Sequence, residues 1–251
     1  MGKHSAKSGL YLYAVAPSPG EGTLGFPGID GKPVCAISSG RLAAIVSEAP
    51  NGKIRPERRY LAAHQDVLKR LMQTSTVLPV SFGIIADGPG AIETVLARNR
   101  KGFLEQLNRV TGKVEMGLRV TWDVPNIFEY IVNTHPALRV ARDRLLSNPR
   151  GPSQDDKIEL GEMFNRMLNE DREACTEKVT GILARCCFEI QPNPCRSERE
   201  VMNLACLVGR EKQDKFQAAV FEAAKLFDNS FAFDYNGPWA PHNFVEMDLS
   251  L

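Results

Sequence analysis

The chain has 251 residues, of which 43% are hydrophobic and 24% are charged, a composition typical of a globular protein with a hydrophobic core. Its 31 basic and 30 acidic residues leave a net charge of +1, so no long-range field steers it toward nucleic acid or anionic lipid. No apolar run approaches the roughly 20 residues that cross a bilayer. We therefore predict a soluble, cytoplasmic protein that binds neither nucleic acid nor a lipid membrane.

The first half of the chain alternates short apolar runs with helical patterns. The predicted elements are strands at 10–16, 32–38 and 41–47, a helix at 56–73, a strand at 77–85, a helix at 91–110 and a strand at 114–122. Ser39-Gly40 predicts a tight hairpin turn between the second and third strands. This order is close to the split βαβ plan, so we predict an N-terminal ferredoxin-like domain over residues 1–123.

The second half contains longer helical patterns. The predicted elements are a helix at 126–147 that breaks near Pro136, a long helix at 155–185, strands at 187–191 and 200–208, a helix at 211–227 and a strand at 230–235. These elements predict a second α+β domain with long helices over residues 124–251. Gly237, Pro238 and Pro241 disfavour regular structure, so we expect the C-terminal tail to be irregular.

Several sequence patterns suggest catalysis or cofactor binding, but the residues around them do not support either function. Residues 20–25 match G-x-G-x-x-G after a predicted strand, but loop follows instead of the helix whose N-terminus would hold a pyrophosphate. His64 is the histidine most like a general base, yet it shares a helical face with Val67 and Leu71, which favours a core histidine with one hydrogen bond. The six cysteines include no C-x-x-C pair, and the four histidines are too scattered to complete a zinc site. We predict no enzyme, no cofactor and no metal.

Three sequence blocks together resemble a known family. They are residues 10–15 (LYLYAV), residues 76–83 (TVLPVSFG) and residues 237–245 (GPWAPHNFV). Their order and spacing resemble the gas vesicle protein F/L family, and the chain is most like the F members, although both branches share these motifs. Residues 26–31, 42–48 and 115–122 also resemble the family. Ser81, Ala240 and His242 depart from its usual pattern.

The resemblance implies a gas vesicle accessory protein that has no catalytic activity. Its implied partner is the hydrophobic gas vesicle shell protein of the GvpA type, together with other gas vesicle accessory proteins. Binding would hold the shell protein soluble and limit its premature aggregation during nucleation, because exposed apolar patches and strand edges aggregate. Family members also remain as minor vesicle components, which would place the chain at the vesicle, including its gas-facing surface. This role serves buoyancy.

The motif residues divide into two groups with different predicted roles. Structural roles are expected for Tyr11, Tyr13, Leu78, Pro79, Phe82, Gly83, Trp122, Gly237 and Pro238. The tail residues predicted either to strap across their own domain or to contact a partner are Trp239, Pro241, Phe244 and Val245. Two other functions stay open at this point: a purely structural vesicle component, and a small-molecule enzyme or sensor on a ferredoxin-like scaffold, which requires a pocket with convergent polar groups.

Overall fold

The computed structural model describes residues 9–49, 54–147 and 151–247. The chain forms two compact units, the first comprising Met1–Glu115 with Pro238–Leu251 and the second Met116–Gly237. Helices and strands occur in both units, which confirms the predicted α+β class. Within the described ranges, no helix combines the length and the apolar character that a membrane span requires.

The first unit is built on a largely antiparallel sheet covered by helices. Its elements are β1 (Leu10–Pro17), β2 (Gly22–Pro27), β3 (Pro33–Ser39), β4 (Leu42–Glu48), α1 (Arg58–Thr74), β5 (Leu78–Pro79), β6 (Ile85–Ala86), α2 (Pro89–Arg98) and α3 (Arg100–Val110). The strand order is β2-β3-β4-β1-β5, and β6 also pairs with β1. Strands β1 and β4 pair along their whole length and each bury six consecutive residues. Burial on both faces explains why these strands are continuous apolar runs.

Three details of the first unit differ from the sequence prediction. Residues predicted as loop contain β2, a glycine-rich edge strand that becomes a strand only through its pairing with β3. The strand predicted at 77–85 is two short strands separated by a turn, where Gly83 adopts a φ of 92°. The helix predicted at 91–110 breaks at Asn99, whose side chain donates to the Val95 carbonyl and competes with the helical ladder.

The second unit is built on a four-stranded sheet. Its elements are β7 (Lys113–Trp122), α4 (Ile127–Thr134), α5 (Pro136–Leu146), α6 (Gln154–Leu183), β8 (Cys187–Asn193), β9 (Glu200–Gly209), α7 (Gln213–Ala224) and β10 (Phe231–Trp239). Trp122 is 2% exposed and packs against Phe231. The predicted helix break occurs at Pro136, which begins α5. Strands β7 and β10 carry the chain from one unit to the other.

The ferredoxin-like plan lies in the second unit, and its prediction for residues 1–123 was wrong. The strand order β10-β7-β9-β8, with helices after β7 and after β9, is the β-α-β-β-α-β arrangement. The order in the first unit, β2-β3-β4-β1-β5, is different. The error arose because β7 was assigned as the last strand of the first domain. Sequence shows that β7 is a strand but does not show which sheet it joins.

The C-terminal tail also differs from its predicted assignment. Strand β10 continues through Gly237 and Pro238 to Trp239, although these residues were expected to exclude regular structure. Proline is tolerated there because β10 is an edge strand of its sheet and one side of its backbone needs no partner. The residues after Gly237 then belong to the first unit, whereas the predicted division placed them with residues 124–251.

Candidate functional site

His64, the histidine singled out from the sequence, lies in a buried cluster of the first unit. Strand β1 places Tyr11 and Tyr13 on one face, with both side chains 0% exposed and their ring centroids 4.9 Å apart. Helix α1 brings the His64 ring to 5.7 Å from Tyr11 and 5.6 Å from Tyr13. We call Tyr11, Tyr13, Ser47, His64 and Phe82 the tyrosine–histidine cluster.

Hydrogen bonds fix the tautomer that suits His64. The Gly83 amide donates to the Tyr11 hydroxyl oxygen over 3.2 Å, and this hydroxyl lies 2.8 Å from His64 Nδ1. Since Gly83 already donates to the oxygen, the Tyr11 hydrogen is best directed to Nδ1, which assigns the imidazole proton to Nε2. Nε2 is buried and has no hydrogen-bond partner within the described ranges. His64 is thus a buried core histidine hydrogen-bonded to Tyr11, as the helical spacing predicted.

Tyr13 ties the glycine-rich loop to the sheet. Its hydroxyl lies 2.9 Å from Ser47 Oγ and accepts a 2.8 Å hydrogen bond from the Ile29 amide. The chain at Gly28 passes so close to this hydroxyl that a side chain there would collide with the Tyr13 ring. The G-x-G-x-x-G residues at 20–25 are therefore followed by a loop that is anchored on Tyr13, and then by strand β3. They do not begin a helix that could bind a pyrophosphate.

The second family block closes the other side of the cluster. Leu78 and Pro79 are buried and pair with Val15 and Ala14 of β1. The turn that follows brings the Phe82 ring to 6.0 Å from Tyr11 and 5.9 Å from His64. The first two family blocks, far apart in sequence, are thus in direct contact around one histidine.

The tail residues 240–245 form the C-terminal strap, which completes the first unit. Phe244 is 2% exposed, and Pro241 is buried beside it. Asn243 donates to both carboxylate oxygens of Glu115, from its backbone amide over 2.9 Å and from Nδ2 over 2.7 Å. Just before the strap, the Lys69 ammonium lies 4.7 Å from the centre of the Trp239 ring.

The four tail residues predicted to strap or to contact a partner are therefore placed along the first unit. Pro241 and Phe244 are buried, while Trp239 and Val245 are half-buried. The strap exists, but it crosses the first unit rather than the unit that contains residues 124–237. Contact of these residues with a partner stays a prediction.

Burial keeps the ionisable groups of the cluster uncharged. Burial lowers the pKa of His64 to about 4, and the nearby charge of His242 acts in the same direction. Burial also lowers the pKa of His242 and raises the pKa values of Tyr11 and Tyr13. A neutral, 2% exposed imidazole with Nδ1 already hydrogen-bonded serves packing, since a general base must reach its substrate.

Potential metal ligands are not grouped in the part of the chain that the structure describes. Among residues 9–49, 54–147 and 151–247, no three His, Cys, Asp or Glu side chains form a group that could hold a metal ion. All six cysteines are free thiols.

Exposed large apolar side chains are concentrated in the second unit, and the sequence did not predict them. Eight large apolar side chains among the described residues are exposed, and only Leu61 of these belongs to the first unit. The other seven are Phe128, Val140, Leu146, Ile158, Phe188, Phe221 and Leu226. Helical periodicity could not reveal them, because it counts apolar residues without showing which ones a neighbouring element covers.

The fold and the cluster define a two-unit α+β protein in which His64 has a structural role. The family model described as Gas vesicle synthesis protein GvpL/GvpF matches residues 9–246, and the chain belongs to this family. Its role is therefore connected with gas vesicles.

Individual relatives match over nearly the whole chain. The chain is 30% identical to gas vesicle protein F of Streptomyces sp. (strain CB03234), over 94% of this chain and 99% of that protein. It is 26% identical to gas vesicle protein F of Nostoc sp. (strain PCC 7120 / SAG 25.82 / UTEX 2576), over 96% and 99%. These relatives are named as gas vesicle proteins and not as enzymes.

Solved structures support the fold. The crystal structure of GvpF from Anabaena sp. PCC7120 superposes with a TM-score of 0.82 at 24% identity, covering 96% of this chain and 99% of that one. The crystal structure of GvpF from Microcystis aeruginosa gives 0.82 at 23% identity, covering 96% and 100%.

Proposed function

We propose that this chain binds the hydrophobic shell protein of gas vesicles, of the GvpA type, and limits its premature aggregation during nucleation. The observation that supports this most is the concentration of exposed large apolar side chains in the second unit. Membership of the GvpL/GvpF family supplies the context, because a gas vesicle shell offers a strongly apolar protein surface.

The free energy of binding requires several of these exposed apolar residues to act together. Full burial of a Val, Leu, Ile or Phe side chain is worth about 1.5–3 kcal/mol, so covering an exposed half contributes about 1 kcal/mol. Association itself costs several kcal/mol in lost freedom of motion. Single exposed apolar residues are ordinary on a protein surface, so the proposal requires the partner to cover several of these seven side chains at once.

The alternative of a small-molecule enzyme or sensor requires a pocket with convergent polar groups near His64 or the loop at residues 20–31. The His64 side chain is 2% exposed and its Nδ1 is taken by Tyr11. A substrate would have to open the core of the first unit to reach His64, so this histidine does not favour that alternative.

Aggregation of the shell protein tests the proposal directly. The shell subunit is released by protease from a soluble carrier fusion, and light scattering follows its aggregation with and without equimolar full-length chain. We expect a longer lag with the chain present. A Phe128→Ser, Val140→Ser double variant of the second unit should shorten the lag, whereas Leu61→Ser in the first unit serves as the matched control. An unchanged lag with the wild-type chain would refute the proposal.

The place of the chain in the vesicle needs a separate experiment. We propose that it stays as a minor component at the gas-facing surface. Purified vesicles are washed in urea, then collapsed by pressure, and the chain is quantified before and after collapse. A gas-facing component resists the wash in intact vesicles and becomes accessible only after collapse. A factor that acts in assembly alone is absent from the particle, and deletion of its gene still prevents vesicle formation.

A further inference from the structure

Strand β10 forms one edge of the sheet in the second unit, and among the described strands only β7 pairs with it. An edge strand presents unpaired amides and carbonyls to other strands, and proteins commonly protect such edges with charges, lysine above all, or with proline. The opposite edge, β8, contains Glu189 and Pro192. Residues 231–236 of β10 contain neither proline nor lysine, and their single charge is on Asp234. The β10 edge is therefore open to pairing with another strand.

One face of β10 carries an aromatic band. Its strand residues alternate along the chain and are half-buried, namely Phe231, Phe233 and Tyr235. The Phe227 ring lies 4.9 Å from the Phe231 ring and 5.3 Å from the Phe233 ring. The Phe221 ring lies 6.4 Å from the Tyr235 ring and is 55% exposed. We call these five residues the β10 aromatic band, and the chain itself covers it only in part.

The other face of β10 carries small and polar side chains. Ala232 and Asp234 are both exposed on this face. The Asp234 carboxylate accepts a 3.0 Å hydrogen bond from Arg119 of β7, which holds the charge on the side away from the aromatic rings. The two faces of the edge therefore differ sharply in character.

The sequence of this edge is complementary to itself in one antiparallel register. When Phe233 lies opposite Phe233 of a second copy, Phe231 lies opposite Tyr235, so the three aromatic positions form cross-strand pairs on one face. On the other face, Asp234 lies opposite Ala232.

A different register is less favourable. A shift that places Asp234 opposite Asp234 brings like charges together and leaves Phe231 opposite Gly237. Charge and aromatic pairing therefore select the register centred on Phe233.

We propose that two copies of this chain pair antiparallel through β10 in the register centred on Phe233. The pairing joins two four-stranded sheets into one continuous sheet around a two-fold axis, as an isologous interface requires. Both the unpaired backbone edge and the exposed part of the aromatic band are then covered by the same contact. This inference is independent of the proposed binding of the shell protein.

The size of this contact sets the expected affinity. An aromatic side chain buries about 150–250 Å² in full, so covering the exposed parts of the band in both copies removes roughly 1,000 Å² from solvent. That area lies at the low end for specific interfaces, where complexes are reversible. We therefore expect a dimer that dissociates at roughly micromolar concentration.

Three variants of the full-length chain test the pairing and its register. Ala232→Asp places a carboxylate opposite Asp234 of the second copy, whereas Ala232→Lys places an ammonium group there. Gln191→Asp is the matched control, since it adds the same charge at an exposed position of the opposite edge strand, β8. Sedimentation velocity over a range of protein concentrations measures the Kd of the dimer. Hydrogen exchange at low and high concentration shows which backbone amides the dimer protects.

The two substitutions at one exposed position should act in opposite directions. Ala232→Asp raises the Kd at least about tenfold at low salt and less at high salt, because like charges oppose each other. Ala232→Lys gives a Kd equal to or lower than that of wild type, and Gln191→Asp stays within about twofold. In wild type, amides of residues 231–236 exchange more slowly at high concentration.

Several outcomes would overturn the inference. A wild-type chain that stays monomeric at roughly a hundredfold above the expected Kd rules out the dimer, and protection of residues 231–236 by the shell subunit would then assign the edge to that partner. A dimer weakened by Gln191→Asp and not by Ala232→Asp uses the other edge. Equal weakening by Ala232→Asp and Ala232→Lys contradicts the register centred on Phe233. If either variant fails to fold by circular dichroism, hydrogen exchange of wild type decides.

Discussion

Both units of this protein have a buried core, but they differ in how many large apolar side chains their helices leave exposed. In the first unit, β1 and β4 bury six consecutive residues each, and the C-terminal strap adds Phe244 to the same core. In the second unit, α4 buries only Ile127 and Ile131, and α5 only Leu138. The helices of the second unit therefore retain apolar surface that a partner can cover, whereas the first unit exposes only Leu61 among the large apolar side chains described.

Among the variants considered, Phe244→Ala is expected to change stability most, and to change it in the first unit. Removing a buried phenylalanine leaves a cavity and should lower the free energy of unfolding of the first unit by about 3–5 kcal/mol. Chemical denaturation, followed by hydrogen exchange of peptides from each unit, measures the change. The matched control is Phe221→Ala, which removes a 55% exposed ring from the second unit and should cost less than about 1 kcal/mol. Equal losses would show that the strap is not part of the core.

Acid should destabilise the first unit through His64. Its pKa falls from 6.5 to about 4 in the folded protein, so the unfolded chain binds more protons between these values. The stabilisation is fully present above pH 6.5 and is lost as the pH falls toward 4, by up to about 3 kcal/mol. Denaturant unfolding across this range measures it. His64→Gln should reduce the slope, and His242, whose pKa burial also lowers, should account for part of what remains. An unchanged slope in His64→Gln would assign the whole effect to other groups.

Tyr11→Phe is expected to have a smaller effect. The change removes one oxygen and leaves the Gly83 amide and His64 Nδ1 without their partner, which costs about 1–3 kcal/mol in a buried site. Tyr60→Phe removes a hydroxyl whose hydrogen bond to Arg59 is exposed, and it should change stability by less than about 0.5 kcal/mol. Thermal unfolding of both variants compares them, and similar midpoints would contradict the role assigned to Tyr11.

Val140→Ser should have the smallest effect on stability. The side chain is 67% exposed, so the free energy of unfolding should change by no more than about 0.5 kcal/mol. Affinity for the shell protein should nevertheless fall, because the valine is one of the exposed apolar side chains on which the proposed function rests. Unfolding and binding measured on the same preparation separate the two quantities. A large loss of stability would mean that α5 is better packed than its exposure indicates.

The tyrosine–histidine cluster could be predicted from the sequence only in part. The face of α1 that carries His64 was predicted from helical spacing, and the histidine is indeed buried. Its partners could not be predicted, since Tyr11 lies 53 residues from His64 and 72 residues from Gly83 along the chain. The exposed residues of α5 were also missed, because their apolar spacing is the same whether or not another element covers them.

The local elements, the α+β class and the family could be predicted from the sequence alone. Periodicity identifies α1, α6 and β1 because burial of one face recurs every 3.6 or every 2 residues, and the motif blocks carry the family resemblance. Only the tertiary structure decided that β7 begins the second sheet, that the tail strap crosses the first unit, and that α5 is left uncovered. The physical reason is that hydrophobic patterns record how much of an element is apolar, whereas strand pairing and packing across long separations decide which partner covers it.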